Sequence, residues 1–373
     1  MSSPRLRIAF VVHDYNRVYG HSRYVSELAR RFRHEHDVHV FSNTLDDADT
    51  DHITFHHVPA WRWNVMTTLL SFPLLADPLV RGGFHVIHAQ GFCGWRQNVV
   101  TAHMCQGAWL DAMARNARPP GWRKRLFHRL AGWLEGRTYS PAATRRVIAV
   151  AHRVGADLRR HHGRVAPVRV IHHGVDADTF HPRNRQVWRG TVREQLGLPD
   201  DVPVALYVGD YQKGLAAAVR AVARVAGVHL VGVARSPTAP YQSLLSAEGV
   251  ADRVRLLPPT PHVERYFAAA DVFVFPTVYD PFGLVVTEAM ASGLPVVTSR
   301  AAGAAELITH GVDGFVTDDA WDVEAIAAHL TTLRDSSLVR DAVGLAARRR
   351  VEPLTWDEVA RQTLSVYNEI VRR

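Results

Sequence analysis

Short runs of β-branched and apolar residues recur along this chain, separated by stretches with helical spacing, and the series appears twice with one break between. The first series is RIAFVV (7–12), VHVFS (38–42), ITFHHV (53–58), HVIHA (85–89), NVVTAH (98–103), RVIAV (146–150) and VRVIH (168–172). The second is VALYVG (204–209), HLVGVA (229–234), VRLLP (254–258), DVFVFPT (271–277), PVVTS (295–299) and GFVT (314–317). Such alternation is the pattern of parallel α/β sheets. In the break, residues 173–203 are polar, with scattered Pro, Gly and Asp. The chain therefore reads as α/β, with two Rossmann-like doubly wound domains facing a central cleft. Their expected bounds are 1–173 and 201–355. Residues 174–200 read as an interdomain linker, and a last helix, 356–373, is expected to pack back on the first domain. A length of 373 residues suits two such domains.

Open α/β sheets bind ligands at the carboxyl ends of their strands, so residues just after each strand are the first candidates. DVFVFPT is followed by the loop VYDPFG, then by LVVTEAMAS, with Gly293 and Pro295 as helix stop signals. The amides of Gly283 and Leu284 open that helix, where a phosphate meets partial positive charge. Glu288 lies about one turn in, suited to accept bonds from sugar or ribose hydroxyls, and Asp280 sits on the loop. Taken alone, Glu288 also fits a carboxylate favouring a helix N-terminus, and Asp280 a turn residue. In VGDYQKGL (208–215), Lys213 is one of two lysines among 44 basic residues. It stands between a strand and a helix, where a compact charge can meet a diphosphate. A plain surface lysine is the alternative. In the first half, His103 ends NVVTAH and His13 ends the first strand. A neutral imidazole at either place can bond a sugar hydroxyl.

The run D-P-F-G-L-V-V-T-E, followed by A-M-A-S-G-L-P-V-V, resembles the signature of the retaining glycosyltransferases of family four, which have the GT-B fold and require no metal. The family pattern is Glu, seven residues, Glu; here Asp280 holds the first place and Glu288 the second. The resemblance implies that Glu288 binds the nucleotide ribose and Asp280 the hydroxyls of the transferred sugar, with Phe282, Gly283 and Leu284 completing the donor site. Lys213 would carry the phosphate charge, and Gly20 and Gly209 would lie in loops that approach the phosphates. Glu306, in GAAELITHGVDGFV, would face the nucleotide-sugar, with Gly303 admitting close backbone approach; a structural glutamate fits there as well. His103 would lie close to the transferred sugar and help hold the acceptor; His13 is expected at the acceptor from its position alone, at the end of the first strand. The expected catalytic set is thus His103, Lys213 and Asp280. Two departures stand out. Asp for Glu withdraws the carboxylate by one methylene, roughly 1.5 Å, and the Arg usual after the first glycine is missing, since Asp210 follows Gly209. The implied reaction moves a hexose from a nucleotide-diphosphate sugar, UDP favoured and GDP open, to a hydroxyl of a glycan, glycolipid or small-molecule acceptor. No cofactor and no metal are expected. YDPFG and VVTAHMCQ are similar to bacterial lipopolysaccharide-core-type glycosyltransferases.

Other classes find less support. No G-x-G-x-x-G follows the first strand, against a nicotinamide dehydrogenase. The acidic run DDADTD (46–51) has acid-x-acid spacing but lies far in sequence from Asp280 and Lys213. A nucleotide-sugar epimerase on the same fold, or a non-catalytic sugar-nucleotide binder, stays open. The net charge of +8 is concentrated between 113 and 164, where thirteen basic residues face only Glu135 and Asp157. With Trp109, Trp122 and Trp133 nearby, that field suits an anionic membrane surface or a lipid-linked glycan; no nucleic-acid signature accompanies it, and no nucleic-acid partner is expected. Two cysteines leave no disulfide framework. With no room for a signal peptide before the first strand, the expected location is the cytoplasm, peripheral at the inner face of the membrane.

Overall fold

The computed structural model describes residues 5–16, 20–46, 49–114 and 121–372. Arg115 and Arg118 of the basic region, and residues 47 and 48 of the acidic run, lie outside the described residues. The chain forms two compact units, residues 1–174 with 356–373 and residues 175–355.

The first unit holds a seven-stranded sheet. Its strands are β1 (Arg7–Val11), β2 (Asp37–Ser42), β3 (Ile53–His57), β4 (Val86–Gln90), β5 (Val99–Ala102), β6 (Arg146–Ala149) and β7 (Val168–Val170). They lie in the order β3-β2-β1-β4-β5-β6-β7, and every neighbour is parallel. Ile8 of β1 pairs with Val38 on one side and Val86 on the other, and Ile8 through Val12 are buried, as a central strand covered on both faces requires.

The second unit repeats the plan with β8 (Val204–Val208), β9 (His229–Val233), β10 (Val254–Leu257), β11 (Val272–Phe275), β12 (Val296–Ser299) and β13 (Phe315–Thr317). Their order is β10-β9-β8-β11-β12-β13, again all parallel. Each sheet therefore reverses its winding beside its first strand, between β1 and β4 and between β8 and β11. Ligand-binding crevices open at such reversals, outside the carboxyl ends of the two strands.

The Trp356–Val371 helix belongs to the first unit. Its buried residues Trp356, Val359, Ala360, Thr363, Val366, Tyr367 and Ile370 recur at helical spacing. The Tyr367 hydroxyl lies 2.7 Å from His88 Nδ1, inside the core. The chain crosses between units twice, and the crossings touch within each unit. Val175 N–H donates to Leu354 O at 2.8 Å, while a Cβ on Gly174 would fall 2.6 Å from the Trp356 nitrogen.

The stretch 174–200, read above as a linker, is largely part of the second unit. It contains the helix Asn184–Leu196, held by a charge cluster instead of an apolar stripe. Arg185, Arg189 and Arg193 all reach the Asp271 carboxylate, at 2.7, 3.0 and 2.5 Å. Arg193 is fully buried and also donates to Ala269, Pro199, Asp200 and Val202 carbonyls. Burial alone would raise the Asp271 carboxyl, but the three guanidiniums and the Val204 amide hold it below its ordinary value.

Candidate functional site

In the second unit the candidates gather at the ends of β8 and β11. Gly209 follows β8 with a φ of +135°, and a Cβ there would crowd Phe275 at 3.1 Å. Asp210 then caps a short 3₁₀ turn, Tyr211–Lys213. Its carboxylate accepts from Gln212 N–H and from the Ser236 hydroxyl, at 3.0 and 2.9 Å. Gly214 is required by space, since a Cβ would meet the Pro276 carbonyl oxygen at 2.1 Å. That close approach lets Val278 N–H donate to Lys213 O at 2.8 Å, which ties the β8 loop to the β11 loop. The side chains of the two loops meet as well: Lys213 Nζ lies 2.7 Å from Asp280 Oδ2. Burial works against the ammonium, yet the Asp280 carboxylate beside it, with Asp210 behind, keeps the Lys213 pKa above its ordinary value. The residue is therefore charged throughout the physiological range.

Asp280 is fixed by its backbone, N–H to Ala301 O at 3.1 Å and carbonyl from Gly303 N–H at 2.9 Å. Phe282 is buried, and its carbonyl accepts from Ala304 N–H at 2.6 Å. Gly283 takes a left-handed conformation, φ +87°, which points the chain into the helix Leu284–Ala291. Glu288 lies in the buried second turn of that helix. Five of the predicted donor residues (Lys213, Asp280, Gly283, Leu284, Glu288) thus belong to two tied loops and one helix start, with Gly209 and Phe282 shaping them. Glu306 sits on a neighbouring 3₁₀ turn, Gly303–Leu307, and is exposed. The arrangement offers a charged amine and helix-start amides to an anion, and carboxylates to hydroxyls.

In the first unit, His103 follows β5 immediately. Its Nε2 lies 2.8 Å from Gln90 Oε1, at the end of β4. With that oxygen as acceptor, Nε2 carries the proton and Nδ1 is an acceptor. Burial, and then the neighbouring His173, His21 and His88, push its pKa well below the usual 6.5. The ring stacks on His173 (centroids 5.6 Å, 12°) and meets Tyr24 edge-on at 5.3 Å. Tyr24 also contacts His173 at 5.3 Å and Trp356 at 6.3 Å. His13, after β1, packs on Phe72 at 4.6 Å, with Cys93 Sγ 3.0 Å from Nδ1; burial lowers its pKa to about 4. Gly20 begins the exposed end of the helix Gly20–Phe32. The run 46–51 offers Asp49, bound to Arg33 at 2.5 Å.

Residues 202–336 match the family described as glycosyl transferases group 1, and residues 18–179 match glycosyltransferase family 4. The α-maltose-1-phosphate synthase of Mycolicibacterium smegmatis is 34% identical over 264 residues, 65% of this chain and 67% of that one. The chain belongs to glycosyltransferase family four. Across eight of the curated relatives that it matches, this glycosyltransferase spans 48% to 70% of their own length. Solved structures show the fold: WaaG, a glycosyltransferase involved in lipopolysaccharide biosynthesis, superposes with a TM-score of 0.80 at 18% identity, covering 96% of this chain and 99% of that one. HepE of Anabaena, in complex with UDP-glucose, has a TM-score of 0.73 at 18% identity, covering 98% and 100%. The sequence reading of the glycosyltransferase passed over His173, Tyr24 and Gln90. His173 follows the strand VRVIH, so the carboxyl-end rule, applied to β7 as it was to β5, reaches it. Tyr24 lies inside a helix and carries no comparable local signal.

Proposed function

We propose that this glycosyltransferase moves a hexose from a nucleotide-diphosphate sugar, a UDP-sugar in preference to a GDP-sugar, to a hydroxyl of a glycan, glycolipid or small-molecule acceptor, with retention and without a metal. The observation that carries the reading is the Lys213–Asp280 pair at 2.7 Å, at the winding reversal of the second sheet. As the anomeric bond breaks, charge accumulates on the diphosphate. Lys213 and the amides opening the Leu284–Ala291 helix are arranged to stabilise it there, the task a metal performs elsewhere. Lys213 has three donors; one can stay with Asp280 while the others turn to phosphate. This geometry also suits Asp in the family's Glu position, because the shorter side chain still reaches the lysine. Glu288 would take the ribose hydroxyls. With retention, the acceptor hydroxyl attacks from the face the phosphate leaves, and that phosphate accepts the hydroxyl proton. His103, neutral, would bond a sugar hydroxyl through Nδ1, and His13 would contribute to acceptor binding. UDP is favoured because HepE, of the same fold, is solved with UDP-glucose.

The helix Trp122–Thr138 supports a peripheral contact with an anionic surface. Trp122, Leu126 and Leu130, spaced by four, are exposed on it, and Arg123, Lys124, Arg125 and Arg129 flank them. Among the described residues no helix is long and apolar enough to cross a membrane.

The test is calorimetric titration of UDP and GDP, with EDTA present, into wild type and Glu288→Ala, followed by NMR of the products. Metal-free binding of UDP, weakened in the variant, and an α-linked product from an α-linked donor support the reading. Binding of neither nucleotide defeats it, and donor consumption with no acceptor product points to an epimerase.

A further inference from the structure

Just past His103, three helices of the first unit bring together three side chains of the kinds that hold metal ions. Cys105 directly precedes the helix Gln106–Ala114, Glu135 lies in the last turn of the helix Trp122–Thr138, and His162 ends the helix His152–His162. The Cys105 sulfur, a Glu135 carboxylate oxygen and a His162 ring nitrogen all lie within 4.8 Å of one another. The group is interior: Cys105 and Glu135 are buried, and the His162 side chain is 8% exposed. Charges so placed are paired or coordinate metals.

Hydrogen bonding does not account for the trio. Glu135 Oε2 accepts from Gln106 N–H at 2.8 Å. His162 Nε2 lies 3.5 Å from that oxygen, outside the ~2.7–3.2 Å of an N–H···O bond. Nε2 is inaccessible to solvent and makes no hydrogen bond among the described residues, although buried polar atoms are normally satisfied. The spacing is instead that of two ligands sharing one ion. Zn–N and Zn–O bonds of ~2.1 Å at the tetrahedral angle set their donor atoms ~3.4 Å apart, and a Zn–S bond of ~2.3 Å sets the sulfur ~3.6 Å from each. Starting within 4.8 Å, the sulfur has to close by no more than ~1.2 Å. A cavity of about 560 Å³, whose lining includes Gly132, Gly136, His161 and His162, adjoins the trio. Gly136 admits the imidazole, since a Cβ there would fall 3.1 Å from His162 Nδ1. The cavity supplies an entry path and room for a water as fourth ligand.

We propose that Cys105, Glu135 and His162 bind one zinc ion, with water completing the tetrahedron. This borderline-soft ion accepts the mixed sulfur, nitrogen and oxygen set, whereas magnesium and calcium call for oxygen ligands. The ion clamps the segment that follows His103 to the ends of the Trp122–Thr138 and His152–His162 helices. It is structural and lies within the first unit, so it takes no part in the metal-free transfer proposed above.

The experiment titrates zinc chloride into the full chain freed of metal by a chelator, in parallel with Cys105→Ser and Glu135→Gln. The amide of the second variant can still accept from Gln106 N–H. Calorimetry should show one Cys105-dependent zinc per wild-type chain, which raises the melting temperature. Affinity should fall in each variant by at least the roughly 10–100-fold that loss of an outer-shell partner costs. Cobalt in place of zinc should give a thiolate-to-metal charge-transfer band, kept in Cys93→Ser, which removes the other thiol, and lost in Cys105→Ser. Because Cys93→Ser leaves the trio intact, that band decides the matter even where a ligand variant fails to fold. No zinc binding by wild type, equal binding by wild type and both variants, or a cobalt complex without the thiolate band would overturn the proposal. So would zinc that raises UDP affinity equally in wild type and Cys105→Ser with no Cys105-dependent melting shift, which would place the ion at the donor phosphates.

Discussion

Replacing Lys213 by Met tests the charge logic of the donor site, since the side-chain length is kept and only the ammonium is lost. A unit charge about 4 Å from a phosphate contributes about 4 kcal/mol at an effective dielectric near 20. Two features of the structure reduce that figure. Asp280 already compensates part of the charge at 2.7 Å, and the lysine side chain is 34% exposed, so solvent screens more of it. Keeping half leaves about 2 kcal/mol, or roughly a 30-fold rise in the Kd of UDP. Uridine, which has no phosphate, should bind Lys213→Met and wild type within about threefold of each other. Isothermal calorimetry in EDTA, with UDP, UMP and uridine run in parallel, reads all three. Asp280→Asn provides the opposite sign: it removes the compensating charge, so UDP should bind at least as tightly as to wild type while transfer falls. If Lys213→Met weakens UDP and uridine equally, the lysine shapes the pocket without meeting the phosphates. If it weakens neither, the charge assignment is wrong.

Stability should depend on pH through the buried imidazoles of the first unit. Burial lowers His13 to about 4 and His88 and His173 to about 3, so the unfolded chain binds more protons below pH 6.5 and stability is lost as pH falls from there. Three such groups give a slope of up to about 4 kcal/mol per pH unit, and a flat urea midpoint between pH 6.5 and 5 would refute it. Asp271→Asn leaves the fully buried Arg193 without its carboxylate, which should cost about 3–5 kcal/mol. Calorimetry should show the second unit melting about 10 °C lower; an unchanged melting temperature would refute the cluster's role. His103→Ala removes one hydrogen bond to the sugar, about 1.4 kcal/mol, and should lower kcat/KM about tenfold with UDP affinity unchanged, and steady-state kinetics with nucleotide titration separate the two effects.

The strands were legible because a parallel sheet demands apolar runs, and the loop of Asp280 was legible because its glycine and proline signals are local. The Lys213–Asp280 pair was not, because its partners are 67 residues apart and nothing in either loop names the other. The helix Asn184–Leu196 was hidden for a different reason. Arg185, Arg189 and Arg193 are spaced by four, which is a helical face, but the face is cationic and its anchor, Asp271, is a single acid before an apolar strand. A search for apolar periodicity passes over such a helix. His173 was within reach of the same rule that found His103, whereas Tyr24 joins that cluster only through tertiary packing.

The two adjacent crossings, at Gly174–Val175 and Thr355–Trp356, set an order of events on the ribosome. The whole of 175–355 is synthesised before the helix that carries Tyr367 to His88, so the first unit waits for its last piece until the second unit's sequence has been made. Until that helix is added, Tyr24, His88 and Phe32 of the first unit lack the cover that Trp356 and Tyr367 supply.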